Sequence, residues 1–371
     1  MRLSSTVVAV LCVAAGGVAA GDVRPQAIFA DHMVLQRGRE VVIRGRAEPG
    51  EEVTVEFARE TARVKADAAG RWLATLPALE ASGDPRDMVI RGTNTVTIRD
   101  VIVGDVWLCS GQSNMPISAG HFAREPDVKA DIAAAAMPLV RQFGVADVAA
   151  PEPQDDVTGQ WLVCSPQTAG RFTAVGFAFA RAVHDGTGVP VGILRSAKGS
   201  TRIDVWLPRG ERHNAMIAPL AGIPIRGVLW YQGESNAGDA ATSQRYVEQM
   251  RELVLDWRRL FGDEKLPFYF VQLPAYQKPT DDPAGGDAWS RMREAQARAL
   301  GIPHTGMAVT IDIGEADDIH PRNKADVGGR LARLVLRDVY GRQDPGAGGP
   351  SFRGMKVEGS RLRLAFDGIG A

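Results

Sequence analysis

Two different spacings of apolar residues divide the chain. From about residue 23 to residue 100, short alternating runs are separated by turn-forming residues such as Glu48-Pro49-Gly50. Runs of this length and alternation are typical of half-buried strands. They cover residues 41–46, 53–57, 71–76, 88–91 and 95–98. The pattern predicts a small all-β, sandwich-like domain over residues 22–100.

After residue 101, apolar strand-like runs alternate with longer stretches of helical periodicity. The strand-like runs cover residues 101–108, 189–194, 225–231, 267–273 and 305–313. Apolar residues recur at helical spacing in two places: Tyr246, Met250, Leu253, Val254 and Trp257, then Val327, Leu331, Leu334, Val335 and Val339. This alternation predicts an α/β domain over residues 101–343, in which helices cover a parallel sheet.

The two ends of the chain show patterns of their own. Arg2 precedes an apolar run over residues 7–20 that ends in small residues, which is typical of a secretory signal peptide. The run is too short to span a bilayer comfortably, so we expect residues 1–21 to be removed and the chain to be exported to the periplasm or secreted, without membrane insertion. Residues 344–371 predict a Gly/Pro-rich linker and the start of an incomplete C-terminal β module.

Composition narrows the range of partners. The chain has 43 basic and 44 acidic side chains, so its net charge shows none of the basic excess that is typical of nucleic-acid-binding proteins. A small or neutral partner is expected, whereas the oligomeric state is left open. Beyond the leader, the cysteines are Cys109 and Cys164; we expect buried thiols, although pairing is open at this stage. No CxxC, HExxH or EF-hand spacing is present, so no metal site is predicted.

The first suggestive polar segment follows the strand-like run at residues 101–108. Ligands of open α/β sheets bind beyond the carboxyl ends of the strands. Ser113 falls on a tight turn at such an end, where its hydroxyl can stand clear and its own N–H can face an oxyanion. Gly, Ser and Asn also mark ordinary turns, and the segment is not the G-x-S-x-G elbow.

A candidate base follows the last strand-like run. Among six histidines, His320 alone follows a late strand with carboxylates three and two residues before it, Asp317 and Asp318. A serine hydroxyl needs such a base to become nucleophilic. The aspartates would otherwise be explained as helix caps. Gly199, through its N–H, and Gln232, through its side-chain amide, follow two further strands and can join the Ser113 N–H as oxyanion donors.

Three segments carry a resemblance to a known family. Residues 104–115, 230–236 and 318–324 resemble the sialate O-acetylesterase family within the SGNH hydrolases, and residues 28–37, 45–50 and 216–220 resemble it outside the site. The resemblance implies a three-layer α/β/α hydrolase domain, no cofactor, and removal of acetyl groups from sugar hydroxyls.

The resemblance also implies roles for individual residues. It makes Ser113 the nucleophile, His320 the base, and Gly199 with Gln232 the oxyanion donors. Asn236, in the polar segment that follows Tyr231, is a candidate substrate-binding residue. The D-x-x-H spacing selects Asp317, which we predict to be the acid. Close relatives often keep the aspartate of D-I-H-P, here Asp318, and some work with a Ser-His dyad.

One segment departs from the family pattern. Lys198 and Arg202 stand where the family usually has Gly-Gly-Thr followed by an acidic residue and Trp. Their charge suits a carboxylated sugar, or is simply solvated.

The sequence therefore predicts a serine esterase that removes O-acetyl groups from a sugar or polysaccharide by two-step acyl transfer. One alternative is an acetylxylan or other polysaccharide acetylesterase with the same site. A second alternative, of a different class, is a non-catalytic carbohydrate-binding protein on a degenerate hydrolase scaffold.

Overall fold

A computed structural model describes residues 22–279, 281–282 and 286–368. The predicted signal peptide at residues 1–21 lies outside the described residues. Among the described helices, none is long and apolar enough to cross a membrane.

The first part of the chain is all β, as predicted. β1, β3 and β6 form one antiparallel sheet, while β4 pairs with β5 and β7 in a second. Inward residues alternate with exposed ones, as in β6, where Trp72, Ala74 and Leu76 are buried. The strands are β1 (Arg24–Pro25), β2 (Val34–Gln36), β3 (Val41–Arg46), β4 (Glu52–Phe57), β5 (Glu60–Lys65), β6 (Arg71–Leu76), β7 (Ser82–Arg91) and β8 (Thr95–Gly111).

One long strand connects this region to the rest of the protein. The 17 residues of β8 pair first with β7, then with β2, and finally with two strands of the main sheet. The boundary predicted between residues 100 and 101 thus lies inside a continuous strand. The segment that contains Ser113 therefore directly follows a strand that belongs to both sheets.

The main sheet has the predicted parallel arrangement. Its strand order is β10-β9-β11-β8-β12-β13-β14, and all neighbours are parallel except β10 with β9. The elements after β8 are α1 (Pro126–Ala133), β9 (Met137–Val145), β10 (Gly159–Cys164), α2 (Ala174–Thr187), β11 (Val191–Ala197), β12 (Gly227–Tyr231), α3 (Ala240–Leu260), β13 (Phe268–Val271), α4 (Ala288–Ala299), β14 (Thr305–Ala308), α5 (Lys324–Asp338), β15 (Ser351–Glu358) and β16 (Arg361–Asp367).

Helices cover both faces of this sheet, which confirms the three-layer prediction. Successive residues of a strand point to opposite faces. On β13, the ring of Phe268 packs 6.0 Å from that of Trp257 on α3, whereas the hydroxyl of Tyr269 reaches Asp338 on α5 at 3.3 Å. α5 packs closely on α2, because Gly328 leaves no side chain between them; a Cβ there would lie 2.6 Å from the Cβ of Ala178.

The last described strands form a separate hairpin. β15 and β16 pair with each other. Their apolar side chains are exposed in the described structure: Phe352, Met355, Val357, Leu362, Leu364 and Phe366. The hairpin lies within residues 344–371, where the sequence predicts the start of a β module.

Candidate active site

Three loops meet beyond the carboxyl end of β8. This strand lies between β11 and β12 at the point where the chain order of the sheet changes direction, the usual place for a ligand in such sheets. Gly111, at the end of β8, has φ +130°, and a Cβ there would lie 2.1 Å from the carbonyl oxygen of Tyr231. Glycine thus allows the end of β8 to lie close against β12, which brings Ser113 near the loop that carries Gln232.

The structure brings Ser113 and His320 together. Nε2 of His320 lies 2.8 Å from Oγ of Ser113, although 207 residues separate them in the chain. Both side chains are half-buried. His320 lies in the loop between β14 and α5, so the two partners come from opposite parts of the α/β domain. This distance is within the range for proton transfer between a serine and a base.

The surroundings of His320 favour its neutral form. Burial lowers the pKa of the imidazole below its usual value, and the charges of Lys324 and His121 act in the same direction. The carboxylate of Asp318 opposes them. A neutral imidazole can accept the serine proton, so these influences suit a general base at neutral pH.

Neither candidate acid pairs with the imidazole. Oδ1 of Asp318 accepts a hydrogen bond from the backbone N–H of His320 at 2.8 Å. Among the described residues, His320 has no carboxylate oxygen within 4.0 Å of a ring nitrogen, and Asp317 makes neither a hydrogen bond nor an ion pair. Both aspartates are exposed. The choice between Asp317 and Asp318 therefore stays a prediction at this point.

Two backbone amides beside the serine are available to a ligand. A Cβ on Gly199 would lie 3.4 Å from the Cβ of Ser113, so the two loops touch. Within the described part of the chain, neither the N–H of Ser113 nor that of Gly199 donates to a protein acceptor. A pair of free N–H groups next to a nucleophile is the arrangement that an oxyanion requires.

The side-chain amide of Gln232 is differently placed. Its Nε2 lies within hydrogen-bond distance of three acceptors: Oε1 of Gln112 at 3.0 Å, the carbonyl of Thr201 at 3.2 Å and Oδ1 of Asn236 at 2.7 Å. An amide nitrogen carries only two hydrogens. The donor capacity of Gln232 is thus directed at the protein, where it joins the loops after β8, β11 and β12.

Asn236 belongs to the same buried junction. Its Oδ1 accepts from Gln232 and from the backbone N–H of Ile203, at 2.9 Å for the latter. Its Nδ2 is buried and has no hydrogen-bond partner among the described residues. The proposed roles of Gln232 and Asn236 at the oxyanion and the substrate remain predictions.

The two cations that depart from the family pattern are both paired. Lys198 forms an ion pair with Asp147, which also binds Arg212 at 2.6 Å. Arg202 pairs with Asp204 at 3.1 Å. The four side chains of the two pairs are between 38% and 48% solvent-exposed. The pairs are therefore already satisfied by the protein, and they are screened by water.

Sequence reasoning missed a set of buried polar residues behind the serine. Asn114, Glu234 and Lys324 are at most 8% exposed, and they are connected by short hydrogen bonds. The sequence does carry a signal for Lys324. It precedes Val327 by three residues and Leu331 by seven, so it lies on the apolar face of the last amphipathic helix, where a charge is unusual.

The site has a serine hydroxyl in contact with an imidazole, and it lies at the carboxyl edge of a parallel sheet between two helical layers. This arrangement is typical of serine hydrolases. Comparison with known proteins identifies the family. The sequence model described as "Carbohydrate esterase, sialic acid-specific acetylesterase" matches residues 103–337. The chain belongs to this family of carbohydrate esterases, as the sequence resemblance implied.

Individual relatives agree with this assignment. A sialate O-acetylesterase of Mus musculus is 30% identical over 91% of this chain and 77% of its own length. That of Homo sapiens is 29% identical over 86% of this chain and 71% of its own. The crystal structure of a carbohydrate acetylesterase from Xanthomonas citri matches with a TM-score of 0.86 and 38% identity, covering 93% of this chain and 82% of the other.

Proposed function

We propose that this carbohydrate esterase removes O-acetyl groups from sugar hydroxyls, with Ser113 as nucleophile and His320 as general base. The observation that carries the proposal is the 2.8 Å contact between Oγ of Ser113 and Nε2 of His320. The intact pair disfavours the alternative of a non-catalytic binding protein, since a degenerate site has no need of a neutral base beside a serine.

The mechanism is a two-step acyl transfer. Oγ of Ser113 attacks the acetyl carbonyl carbon while His320 takes its proton. The tetrahedral oxyanion accepts hydrogen bonds from the N–H groups of Ser113 and Gly199. As the intermediate collapses, the bond between the carbonyl carbon and the sugar oxygen breaks, and His320 gives its proton to the departing oxygen. Water, activated by His320, then attacks the acetyl-serine, which releases acetate and restores the hydroxyl.

The contacts favour Asp318 over Asp317 as the supporting carboxylate. Asp318 holds the backbone of His320 at 2.8 Å and raises the pKa of its imidazole, so it stabilises the charged imidazolium formed during attack. Asp317 is joined to the site by no such contact. Because Asp318 does not reach the ring, we propose that Ser113 and His320 act as a dyad assisted by a nearby charge.

The leaving sugar is the open part of the proposal. The names of the mammalian relatives support an O-acetylated sialic acid, and the Xanthomonas citri relative supports a carbohydrate acetate more generally. Lys198 and Arg202 are already paired with aspartates, so they give no particular support to a carboxylated sugar. Side-by-side kcat/KM values on O-acetylated sialic acid and acetylated xylan distinguish the two; a preference of about tenfold or more identifies the substrate class.

Export remains a proposal that rests on the sequence of residues 1–21. Its test is the mass of the protein recovered from cells of its source. An N-terminus near residue 22 supports removal of a leader, whereas an intact Met1 in the cytoplasm contradicts it.

The test of the catalytic proposal is hydrolysis of a chromogenic acetate ester by purified residues 22–371. Ser113→Ala should reduce the rate to background. Ser118→Ala is the matched control, since it removes the same atom from a half-buried serine five residues away whose hydroxyl has no hydrogen bond in the described structure. If Ser113→Ala retains wild-type rates, Ser113 is not the nucleophile.

A further inference from the structure

A lysine, an asparagine and a glutamate are buried together directly behind the catalytic pair. We call Lys324, Asn114 and Glu234 the buried lysine cluster. Lys324 is 3% exposed, Asn114 is fully buried and Glu234 is 8% exposed. Charged side chains are rarely buried unless they are paired, so a buried lysine next to a reacting group calls for an explanation.

Hydrogen bonds within the cluster supply the pairing. Nζ of Lys324 donates to Oδ1 of Asn114 at 2.6 Å, and Nδ2 of Asn114 donates to Oε1 of Glu234 at 2.6 Å. The aromatic rings of Phe122 and Tyr231 lie 5.7 and 5.8 Å from the ammonium. Asn114 thus lies between the two charged side chains. Its amide oxygen accepts from the ammonium of Lys324, and its amide nitrogen donates to the carboxyl group of Glu234.

The cluster also holds both sides of His320. Nδ2 of Asn114 donates to the carbonyl of Ile319 at 3.0 Å, and Nζ of Lys324 donates to the carbonyl of Pro321 at 2.7 Å. These are the two residues that flank His320. Because Asn114 directly follows Ser113, one side chain connects the loop of the nucleophile with the loop of the base.

We propose that Lys324 is a positioning residue for His320: through Asn114 and the Pro321 carbonyl it fixes the imidazole against Ser113, and it sets a buried positive charge near that imidazole. This inference rests on the proposed function of Ser113 and His320 and deepens it.

The titration behaviour of the cluster agrees with this role. Burial lowers the pKa of Lys324 to about 8, against the opposing charges of Glu234, Asp318 and Glu315. Lys324 is therefore still mostly protonated at pH 7. Burial raises the pKa of Glu234, although its bond to Asn114 and the charge of Lys324 oppose this. The charged groups that act on His320 are Lys324, Asp318 and His121, and Lys324 is the stronger of the two cations.

The direction in which loss of the Lys324 charge shifts the pKa of His320 follows from electrostatics. A positive charge near an imidazole disfavours its protonation, so loss of that charge raises the pKa of His320. Since the reaction needs the neutral imidazole, the acidic limb of the kcat/KM profile then moves to higher pH. A residue that only supports the fold would lower the plateau and leave the position of this limb unchanged.

The experiment compares pH profiles of kcat/KM for wild type, Lys324→Gln and Lys324→Met, measured with a chromogenic acetate. Lys324→Gln removes the charge but keeps an N–H donor, whereas Lys324→Met removes both. Both substitutions should shift the acidic limb to higher pH. At pH 5.5, kcat/KM as a fraction of its own plateau value should be roughly threefold lower in each variant than in wild type. Lys324→Met should in addition lose tenfold or more in kcat, because the tether to Pro321 is gone.

Arg322→Met is the matched control. It removes one positive charge two residues before Lys324, but Arg322 is 57% exposed and paired with Glu315 and Glu125. Its acidic limb should stay at the wild-type position because water screens the charge. If the limbs of both Lys324 variants also stay there, the proposal is overturned.

A second measurement keeps the test decisive if the variants do not fold or the wild-type chain proves inactive on acetate esters. The imidazole signals of the wild-type chain are followed by NMR from pH 4 to 9, and His320 is assigned from the signal lost in His320→Gln. In a folded Lys324→Gln chain the His320 midpoint should lie above that of wild type, and an unchanged midpoint overturns the proposal. In the wild-type chain the proposal also requires a midpoint below that of an unperturbed histidine, about 6.5. A midpoint at or above this value overturns it, whereas absence of esterase activity alone refutes only the proposed function.

Discussion

The two aspartates before His320 allow a sharp comparison. Asn at either position keeps the shape and the acceptor oxygen but removes the charge. Asp318 and Asp317 are both exposed, and neither has an oxygen within 4.0 Å of a ring nitrogen of His320. An exposed charge pair contributes about 0.2–1 kcal/mol. That range corresponds to a change in rate of up to about fivefold. By contrast, a buried triad aspartate contributes a factor of about 10⁴.

We therefore expect Asp318→Asn to lower kcat/KM by roughly two- to fivefold. Asp317→Asn should change it by less than about twofold, because the exposed carboxylate of Asp317 makes no hydrogen bond or ion pair with any described residue. Asp318→Ala should lose about a further tenfold, since the backbone N–H of His320 also loses its acceptor. Because Asp318 raises the pKa of His320, its replacement by Asn should move the acidic limb to lower pH, opposite to the change expected for Lys324 variants.

Steady-state hydrolysis of a chromogenic acetate across pH 5–9, with thermal melting as a check on folding, measures all three variants. A loss near 10⁴ in either Asn variant would mean that this carboxylate pairs with the imidazole during the reaction, which refutes the assisted dyad. A larger effect at Asp317 than at Asp318 would contradict the assignment made from the contacts.

Two further substitutions test the surroundings of the site. Gln232→Met removes a donor that three buried acceptors share. The free energy of unfolding, measured by denaturant titration, should therefore fall by about 1–3 kcal/mol. Unchanged stability together with a loss of about 10² or more in kcat would instead indicate that Gln232 contacts the oxyanion directly. Gly328→Ala places a Cβ 2.6 Å from that of Ala178. The free energy of unfolding should fall by about 1–3 kcal/mol, while kcat/KM at 25 °C stays within about twofold of wild type. A large loss of activity without a loss of stability would show that α5 influences the site by another route.

The placement of the candidate residues at one edge of the sheet was predictable because it follows local rules. Ser113, Gly199 and Gln232 each follow an apolar strand, and parallel strands of one sheet bring their carboxyl ends to a common edge. His320 was identifiable from its rarity and its place after the last strand. The residues that surround these groups depend on contacts between distant segments, and such contacts leave little trace in the local pattern.

The elements that sequence analysis missed have specific physical reasons. β9 contains Arg141 and Gln142, which are buried through hydrogen bonds to other segments, so their polarity hides a buried strand. β8 was divided at residue 100 because its alternation changes where it passes from one sheet to the other. The three hydrogen-bond acceptors around Gln232 come from three separate loops, so no fixed spacing along the chain could have predicted them.

The central claim is that Ser113 forms a covalent acyl intermediate with the help of His320. A phosphonate ester that labels activated serines, followed by peptide mass mapping, tests it most directly. The account predicts one label per chain on the peptide that contains Ser113, and no label on Ser113→Ala or His320→Ala chains that remain folded. Turnover of acetate esters with the label on a different residue, or with Ser113 unlabelled, would contradict it.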